Sequence, residues 1–234
     1  MKTLLALITC HNRGAYADAQ RETWIPQIPE GLDYRFFLGP SERTPKEDEV
    51  FLNCDDSYRG LPNKVQEVVR WAQEHGYDCM AKVDDDVVLK PAAFLNSGFQ
   101  SRDFTGHING DKGNVKIPWG FCYTLSKRAM EYVAVAQLPG NNNDEAWVAH
   151  TLHYHGIPLH HVACYHLHVG TRPAPSPRSV RAPKRDYPPR PEPPPADAVA
   201  YCVYLNWKGY HATPDEENIR EFHMLYANYA KGLR

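Results

Sequence analysis

The chain has 234 residues, of which 42% are hydrophobic and 12% aromatic, and this composition predicts a globular protein with a substantial core. Its formal net charge of −2 at pH 7 excludes a protein that coats nucleic acid through bulk charge, although a local basic patch remains compatible with it.

The cysteines and the apolar runs bear on the cellular compartment. The six cysteines are dispersed without a CxxC pair, which predicts buried free thiols rather than a zinc knuckle or a disulfide framework. The start "MKTLLALITCHNR" has no small-residue cleavage site, and no run is long enough to span a membrane. We therefore expect a cytoplasmic protein without a membrane span, and the oligomeric state is left open.

The first third of the chain alternates between strand and helix patterns. Strands are predicted at 3–9, 34–39 and 77–83, and helices at 18–24 and 61–76. In the second helix, valine and alanine recur at helical spacing, and Gly76 is placed to end it. The alternation predicts an α/β fold with parallel strands.

The middle of the chain predicts a short helix at 91–99 and a hairpin within 104–118. Ser126 is a suitable N-cap for a helix that starts there, and a further helix is predicted at 143–156. A strand rich in histidine follows at 157–168.

The last part of the chain begins with an arm rich in proline and arginine, which can be neither regular helix nor central strand. A strand is predicted at 198–207 after it, and a helix at 213–233, where Thr213 and Glu216 form a capping box. We expect this tail to pack back on the preceding domain.

Three consecutive carboxylates follow the strand at 77–83, namely Asp84, Asp85 and Asp86. Adjacent like charges repel and are costly to desolvate, and a divalent cation bound by hard oxygen ligands would offset that cost. A solvated turn would need no metal. The position favours the metal, because ligands of open α/β sheets bind at the carboxyl ends of the strands.

Six motifs occur in one order over roughly residues 5 to 170. They are "RETW", "FFLG", "EDEVFLNCDDSYRGLPNKV", "AKVDDDVV", "WGFCYTLS" and "NDEAWVAHTLHYHGI". In order and spacing they resemble the β-1,3-galactosyltransferase and Fringe-like family of inverting glycosyltransferases. The resemblance implies a GT-A fold, which is a Rossmann-like mixed sheet flanked by helices. We predict a catalytic domain at 1–170, an arm at 171–196 and a C-terminal strand and helix at 197–234.

The resemblance also implies a nucleotide-sugar donor and a divalent metal, Mn²⁺ or Mg²⁺, held by a D-x-D element. Asp84 and Asp86 fit that element, because alternate residues of an extended segment point to one side, whereas Asp85 would contact the donor ribose or sugar. A histidine near the end of the catalytic region completes the implied metal site, which indicates His166 or His168. The alternatives are a polar strand or an incidental zinc site.

An inverting transfer needs a base that deprotonates the acceptor hydroxyl, and Asp144 and Glu145 are the candidates. The family carries a D-D or E-D pair here, so the Glu at the second position leaves open which acid is the base. We favour Asp144. The alternative is that both acids complement the dipole of the helix they begin.

Further residues carry expectations for binding. Arg21 and Lys64 match family positions and are expected to contact the donor, although a surface arginine is an equally natural interpretation and a solvated helical lysine is the simpler one. Trp119 and Phe121 are expected to form an aromatic wall on which a sugar stacks, unless they belong to the core.

These residues together predict a metal-dependent inverting glycosyltransferase that moves a sugar from a nucleotide diphosphate, UDP being favoured, to a hydroxyl. The expected acceptor is a glycan. One alternative is transfer to hydroxymethylated bases of phage or viral DNA, and another is a non-catalytic sugar-binding protein. The absence of an anchor and of paired cysteines favours a bacterial or virus-encoded chain over a Golgi-luminal one.

The arm has three possible roles, and Arg178, Arg181 and Arg185 are its expected contacts. It could be a lid over the donor, a clamp for a phosphate-rich acceptor such as DNA, or a basic linker.

Overall fold

The structure is a computed structural model that describes the backbone of residues 1–169 and 200–205 and the side chains of residues 1–164. The arm at 171–196, with Arg178, Arg181 and Arg185, and the helix predicted at 213–233 lie outside the described residues. The division of the chain into three parts therefore stays a prediction.

Ten strands form two sheets. They are β1 Thr3–Ile8, β2 Leu32–Leu38, β3 Glu49–Phe51, β4 Cys79–Asp84, β5 Val87–Leu89, β6 Phe104–Lys112, β7 Val115–Ser126, β8 His160–His161, β9 Cys164–Val169 and β10 Ala200–Leu205. The larger sheet has the order β3-β2-β1-β4-β7-β6-β8, and the smaller one has the order β5-β10-β9. In the larger sheet β3, β2, β1 and β4 run parallel, and β7 is antiparallel to both β4 and β6.

Five α-helices accompany the strands, namely α1 Gly14–Thr23, α2 Leu61–Glu74, α3 Pro91–Leu95, α4 Lys127–Val135 and α5 Asp144–Tyr154. Helix α2 buries its valine stripe, and the chain leaves it through Gly76, whose φ of 71° favours glycine. The hydroxyl of Ser126 accepts a hydrogen bond from the backbone N–H of Ala129, so the predicted N-cap of α4 is confirmed. Among the described residues, no helix has the length and apolar character needed to cross a bilayer.

The core occupies both faces of the larger sheet. In β1, Leu4 and Ala6 pack into the cluster that contains α2, α4 and α5, whereas Leu5 and Leu7 pack into the cluster beside α1 and α3. A strand buried on both faces explains the continuous apolar run "TLLALI". Truncating one of these leucines to alanine should cost about 2–5 kcal/mol of folding free energy. The predicted fold class, a mixed α/β sheet flanked by helices, is confirmed.

Several strands differ from the sequence expectation: β5 was not predicted, and the strand predicted at 157–168 is divided into β8 and β9, which belong to different sheets. β3 has three residues, too few for a period-two pattern, and it pairs only with β2 among the described strands. β7 extends over twelve residues, so it continues beyond the hairpin predicted within 104–118 as far as Ser126, the N-cap of α4. Its pairing explains the difference, because β6 is the preceding strand of the same hairpin whereas β4, which pairs with residues 122–126, is distant in sequence.

Candidate active site

The acidic turn lies between β4, which ends at Asp84, and β5, which starts at Val87. The buried side chain of Gln20 on α1 donates hydrogen bonds to the carbonyl oxygens of Asp84 (3.1 Å) and Val87 (2.9 Å). Helix α1 therefore fixes the backbone of the turn through the side chain of Gln20. Sequence reasoning missed Gln20, because an uncharged amide within a helical pattern gives no signal of a partner on another element.

The three carboxylates of the turn point to different surroundings. Asp85 has a side chain 5% exposed, whereas those of Asp84 and Asp86 are 31% and 24% exposed. Asp85 accepts hydrogen bonds from Thr9 Oγ1 (2.7 Å) and from Arg13 Nε (2.8 and 2.9 Å) and Nη2 (2.6 Å). The carboxylate of Asp85 therefore makes its contacts within the protein. Sequence reasoning missed Arg13, which lies beside the turn.

The electrostatics of Asp84 and Asp86 suit a cation. Desolvation, followed by the charge of Asp85, raises the pKa of Asp86 to about 7. Burial also raises the pKa of Asp84, against the lowering effect of Lys82. Two carboxylates that resist ionisation and offer hard oxygen ligands fit a divalent ion, which would offset their repulsion. Within residues 1–164, no group of three or more His, Cys, Asp or Glu side chains is arranged to hold a metal ion.

The smaller sheet sets the level of the two candidate histidines relative to the turn. Cys202 of β10 pairs with Val87 on one side and with His166 on the other, and Tyr204 pairs with His168. β10 runs antiparallel to β5, and β5 begins directly after the acidic turn. The position of Tyr204 is therefore level with the turn. The backbone places His168 level with the turn and His166 level with Val87, and both side chains lie outside the described residues.

A buried lysine connects the acidic turn to the second pair of acids. Lys82 Nζ lies 2.6 Å from Asp84 Oδ1 and 3.7 Å from Asp144 Oδ2, and it donates a hydrogen bond to the carbonyl oxygen of Gly120. The hydroxyl of Tyr123 donates to Asp144 Oδ2 at 3.2 Å. Sequence reasoning missed Lys82 and Tyr123, because a lysine within a strand pattern gives no sign of burial.

The two acids at the start of α5 differ in exposure. Asn143 caps the helix by accepting a hydrogen bond from the N–H of Ala146, which brings the first turn against β7. Asp144 is 3% exposed, and burial raises its pKa, although Lys82 acts in the opposite direction. Glu145 is half-buried, and its carboxylate lies so close to Gly120 that a Cβ on that glycine would be 3.0 Å from Glu145 Oε2.

Lys64 lies where the loops after β1 and β3 meet. Its side chain is buried, and Nζ donates to the carbonyl oxygen of Thr9 (2.5 Å) and to Asp56. Asp56 also accepts hydrogen bonds from the backbone N–H groups of Gly39 (2.7 Å) and His11 (3.3 Å). The interpretation of Lys64 as a solvated lysine is therefore wrong. Sequence reasoning also missed Asp56, which binds the loops after β1 and β2 together.

Arg21 contacts a different set of acids. Its guanidinium forms ion pairs with Asp18 (2.7 Å), Asp48 (2.8 Å) and Glu49 (3.2 Å), and it lies over the ring of Phe36. These contacts connect α1 to β3, which is a role in packing. The expected role of Arg21 in donor binding stays a prediction.

The two expected aromatic residues have different environments. The ring of Trp119 stacks on His107 with centroids 3.8 Å apart, and its Nε1–H donates to Asn109 Oδ1 at 2.6 Å. Phe121 is 4% exposed and belongs to the core cluster beside α1. A ring buried to this extent has no open face for a sugar, so the geometry favours the core interpretation of Phe121. Trp119 is half-buried on the hairpin beside Gly120.

Comparisons with known proteins give one distant match in sequence and a set of weak matches in structure. No family model matches the chain. A 128-residue stretch, 53% of the chain, is 27% identical to UDP-GalNAc:beta-1,3-N-acetylgalactosaminyltransferase 2 of Mus musculus. The chain spans 24% of the length of that relative. About half of the chain is therefore distantly similar to a glycosyltransferase.

Solved structures give weaker likenesses. A glycosyltransferase involved in the glycosylation of the major capsid of PBCV-1 is 13% identical, with a TM-score of 0.48 over 70% of this chain and 86% of that one. CMP:2-keto-3-deoxy-manno-octonic acid synthetase complexed with CTP is 8% identical, with a TM-score of 0.44 over 70% of this chain and 91% of that one. At these identities and TM-scores the solved structures carry no conclusion about activity, and the distant sequence relative is the finding that points to sugar transfer.

Proposed function

We propose that the chain is a metal-dependent inverting glycosyltransferase that moves a sugar from a nucleotide diphosphate to an acceptor hydroxyl. The observation that carries the proposal is the joining of two acid groups at one sheet edge. Lys82 connects Asp84 of the acidic turn to Asp144 of α5, which precedes Glu145, so one site contains carboxylates for a cation and a carboxylate for a proton. The name of the mouse relative supports UDP as the nucleotide and makes UDP-GalNAc the first donor to test.

The donor side of the proposed site is the acidic turn. Asp84 and Asp86 would hold Mn²⁺ or Mg²⁺, and the register of the smaller sheet favours His168 over His166 as the third ligand. The ion, when bound, stabilises the negative charge of the departing nucleotide diphosphate.

Arg13 is proposed as a further donor contact, and Asp85 acts through it. The Arg13 side chain is 34% exposed, and Asp85 binds one edge of its guanidinium through Nε and Nη2. Nη2 also lies 3.5 Å from Asp86 Oδ2, and a guanidinium held along this edge keeps the N–H groups of Nη1 for a phosphate oxygen. The proposed role of Asp85 is therefore to orient Arg13 rather than to contact the donor ribose directly.

Glu145 is better placed than Asp144 to serve as the base, which reverses the preference drawn from the sequence. Asp144 is buried, and its Oδ2 already contacts Lys82 and Tyr123. Glu145 retains partial exposure on the same helical turn. The acceptor oxygen would bond to the anomeric carbon as the bond from that carbon to the diphosphate breaks. The electron pair leaves with the nucleotide diphosphate, and the hydroxyl proton passes to Glu145.

A glycan acceptor is proposed, with Trp119 beside it, because the CH face of a pyranose packs well on an aromatic surface. The DNA alternative depended on Arg178, Arg181 and Arg185, all outside the described residues, and no contact within residues 1–164 favours it.

The proposal is tested by UDP release from a panel of UDP-sugars with manganese and a pool of oligosaccharide acceptors. We expect release that is abolished by EDTA and lost in Asp86→Ala. The exposed Asp111→Ala on the β6–β7 hairpin is the matched control and should retain full activity. Thermal stabilisation by a UDP-sugar without any UDP release would instead indicate a non-catalytic sugar-binding protein.

A further inference from the structure

Lys82 is a charged residue on β4, the middle strand of the larger sheet, and its side chain is 2% exposed. Its ammonium contacts a carboxylate of the acidic turn (Asp84), a carboxylate of α5 (Asp144) and the backbone of β7 at Gly120. These groups come from three separate elements of the fold. A lysine in this position is costly to bury unless its charge is compensated.

The charges that face Lys82 exceed what one lysine needs. Asp84 and Asp144 both contact it, the charge of Glu145 also acts on it, and the ring of Tyr123 lies 5.8 Å from Nζ. A single cation shared by two carboxylates holds both of them, because movement of either leaves a buried charge without its partner.

The contact with Gly120 goes beyond charge compensation. The carbonyl oxygen of Gly120 accepts from Lys82, and the carboxylate of Glu145 lies against the same glycine. Lys82 therefore fixes the segment of β7 on which Glu145 rests. The hydrogen bond would be lost with any apolar side chain at position 82.

We infer that Lys82 is a positioning residue that holds the donor-side Asp84 and the acceptor-side contact of Gly120 with Glu145 at a fixed separation. The inference rests on the proposed function and adds to it a physical link between the donor side and the acceptor side of the proposed site. An error of about 1 Å between reacting groups costs on the order of 10²-fold in rate, so such a link would matter for turnover.

The test compares Lys82→Met, Asp144→Asn and the double variant, with Gln66→Leu as a matched control. Gln66 is also buried and donates to the carbonyl oxygens of Val133 and Ala136, which are not part of the proposed site. Each variant is measured for melting temperature and for kcat of UDP release. If Lys82→Met does not fold alone, Lys82→Gln, which keeps a donor without the charge, replaces it.

We expect Lys82→Met to lower the melting temperature by about 10 °C, because Asp84 and Asp144 lose their cation. Adding Asp144→Asn should restore much of that loss, since the unpaired buried charge is removed. The kcat of the double variant should remain at least about tenfold below that of Asp144→Asn alone, because the Gly120 contact is still missing. Gln66→Leu should lose stability and keep the wild-type kcat.

Two results would overturn the inference. One is a Lys82→Met variant with the wild-type kcat. The other is a double variant with the kcat of Asp144→Asn, because Lys82 would then act only by neutralising Asp144. Failure of the proposed function is distinguishable, because the wild-type protein would then release no UDP. The effect of Asp144→Asn on the melting temperature, measured in the wild-type and in the Lys82→Met background, would still show whether Lys82 pairs with Asp144.

Discussion

Two lysines are buried within residues 1–164, Lys64 on α2 and Lys82 on β4. Both are 2% exposed, and both bind one backbone carbonyl oxygen and at least one carboxylate. Lys64 pairs with Asp56, which itself accepts backbone N–H groups from the loops after β1 and β2. Lys82 is shared between Asp84, at the end of β4, and Asp144, at the start of α5.

The difference shows that burial of a lysine does not by itself indicate its role. The partners of Lys64 are loop backbone and an acid that holds loop backbone, so this region supports the loops beside the proposed donor site and contains no proposed reacting group. Among the partners of Lys82, Asp84 is a proposed metal ligand, and Gly120 lies against the proposed base Glu145. Variants in the Lys64 region should therefore change stability and donor KM, whereas variants around Lys82 should change kcat.

The largest expected effect is on the acid pair beside Lys82. Glu145→Gln should lower kcat by a factor on the order of 10² to 10⁴ while donor KM barely changes, because the base acts in the transition state. Asp144→Asn should lower kcat less and should change the melting temperature, since it alters a buried pair. Steady-state kinetics of UDP release measure both. A large kcat loss in Asp144→Asn together with a small loss in Glu145→Gln would return the role of base to Asp144.

The Lys64 region is tested by Lys64→Met. The variant leaves Asp56 without its cation, and breaking a buried pair in this way should cost about 3–5 kcal/mol of unfolding free energy. Asp56→Asn in the same chain should recover part of the loss. Urea denaturation gives the free energies, and kinetics should show a raised donor KM with kcat within about tenfold of wild type. A selective fall in kcat at unchanged stability would contradict the scaffolding role.

Arg13 gives a smaller effect on the donor side. Arg13→Ala removes the proposed charge-assisted contact to the diphosphate and should raise the dissociation constant of UDP, measured by calorimetry with manganese, by about tenfold or more. Lys127→Ala, an exposed cation at the start of α4, is the control and should leave UDP binding unchanged. Equal affinities in the two variants would remove Arg13 from the donor site.

The smallest effect concerns an ion pair away from both lysines and supplies a baseline for stability alone. Burial opposes the ionisation of Glu49, but hydrogen bonds from Arg43 and the Lys46 backbone outweigh it and lower the Glu49 pKa to about 2. The ionised Glu49 therefore contributes to the free energy of unfolding. This contribution is fully present above the unfolded pKa of about 4.3 and is lost as pH falls towards the folded pKa.

Because Arg43 is partly exposed, we expect the contribution of Glu49 to be about 1–2 kcal/mol. Glu49→Gln should flatten the fall in unfolding free energy between about pH 5 and pH 2, whereas the exposed Glu47→Gln should not. Identical pH profiles for Glu49→Gln and wild type would contradict the assignment.

The features that could be predicted from the sequence were local ones. The Ser126 cap, the valine stripe of α2 and the placement of the acidic triplet after a strand each depend on residues close together in the chain. The sequence therefore identified the turn and the acids that begin α5.

The features that could not be predicted depend on contacts between distant elements. Lys82 and Gly120 are 38 residues apart, and Arg13 and Asp85 are 72 residues apart. A strand pattern does not reveal which lysine is buried, and a helical pattern does not reveal that Gln20 binds the turn. The exposure of Asp144 and Glu145 likewise depends on β7, which no residue of α5 could indicate.

The most direct test of sugar transfer compares the kcat of UDP release for four proteins at saturating UDP-sugar and manganese: wild type, Glu145→Gln, Lys82→Met and Lys64→Met. We predict manganese-dependent turnover in wild type, a loss on the order of 10² or more in the first two variants, and a kcat within about tenfold of wild type in Lys64→Met. Absence of UDP release by the wild-type protein with every UDP-sugar, or equal kcat values in all four proteins, would contradict the proposed sugar transfer.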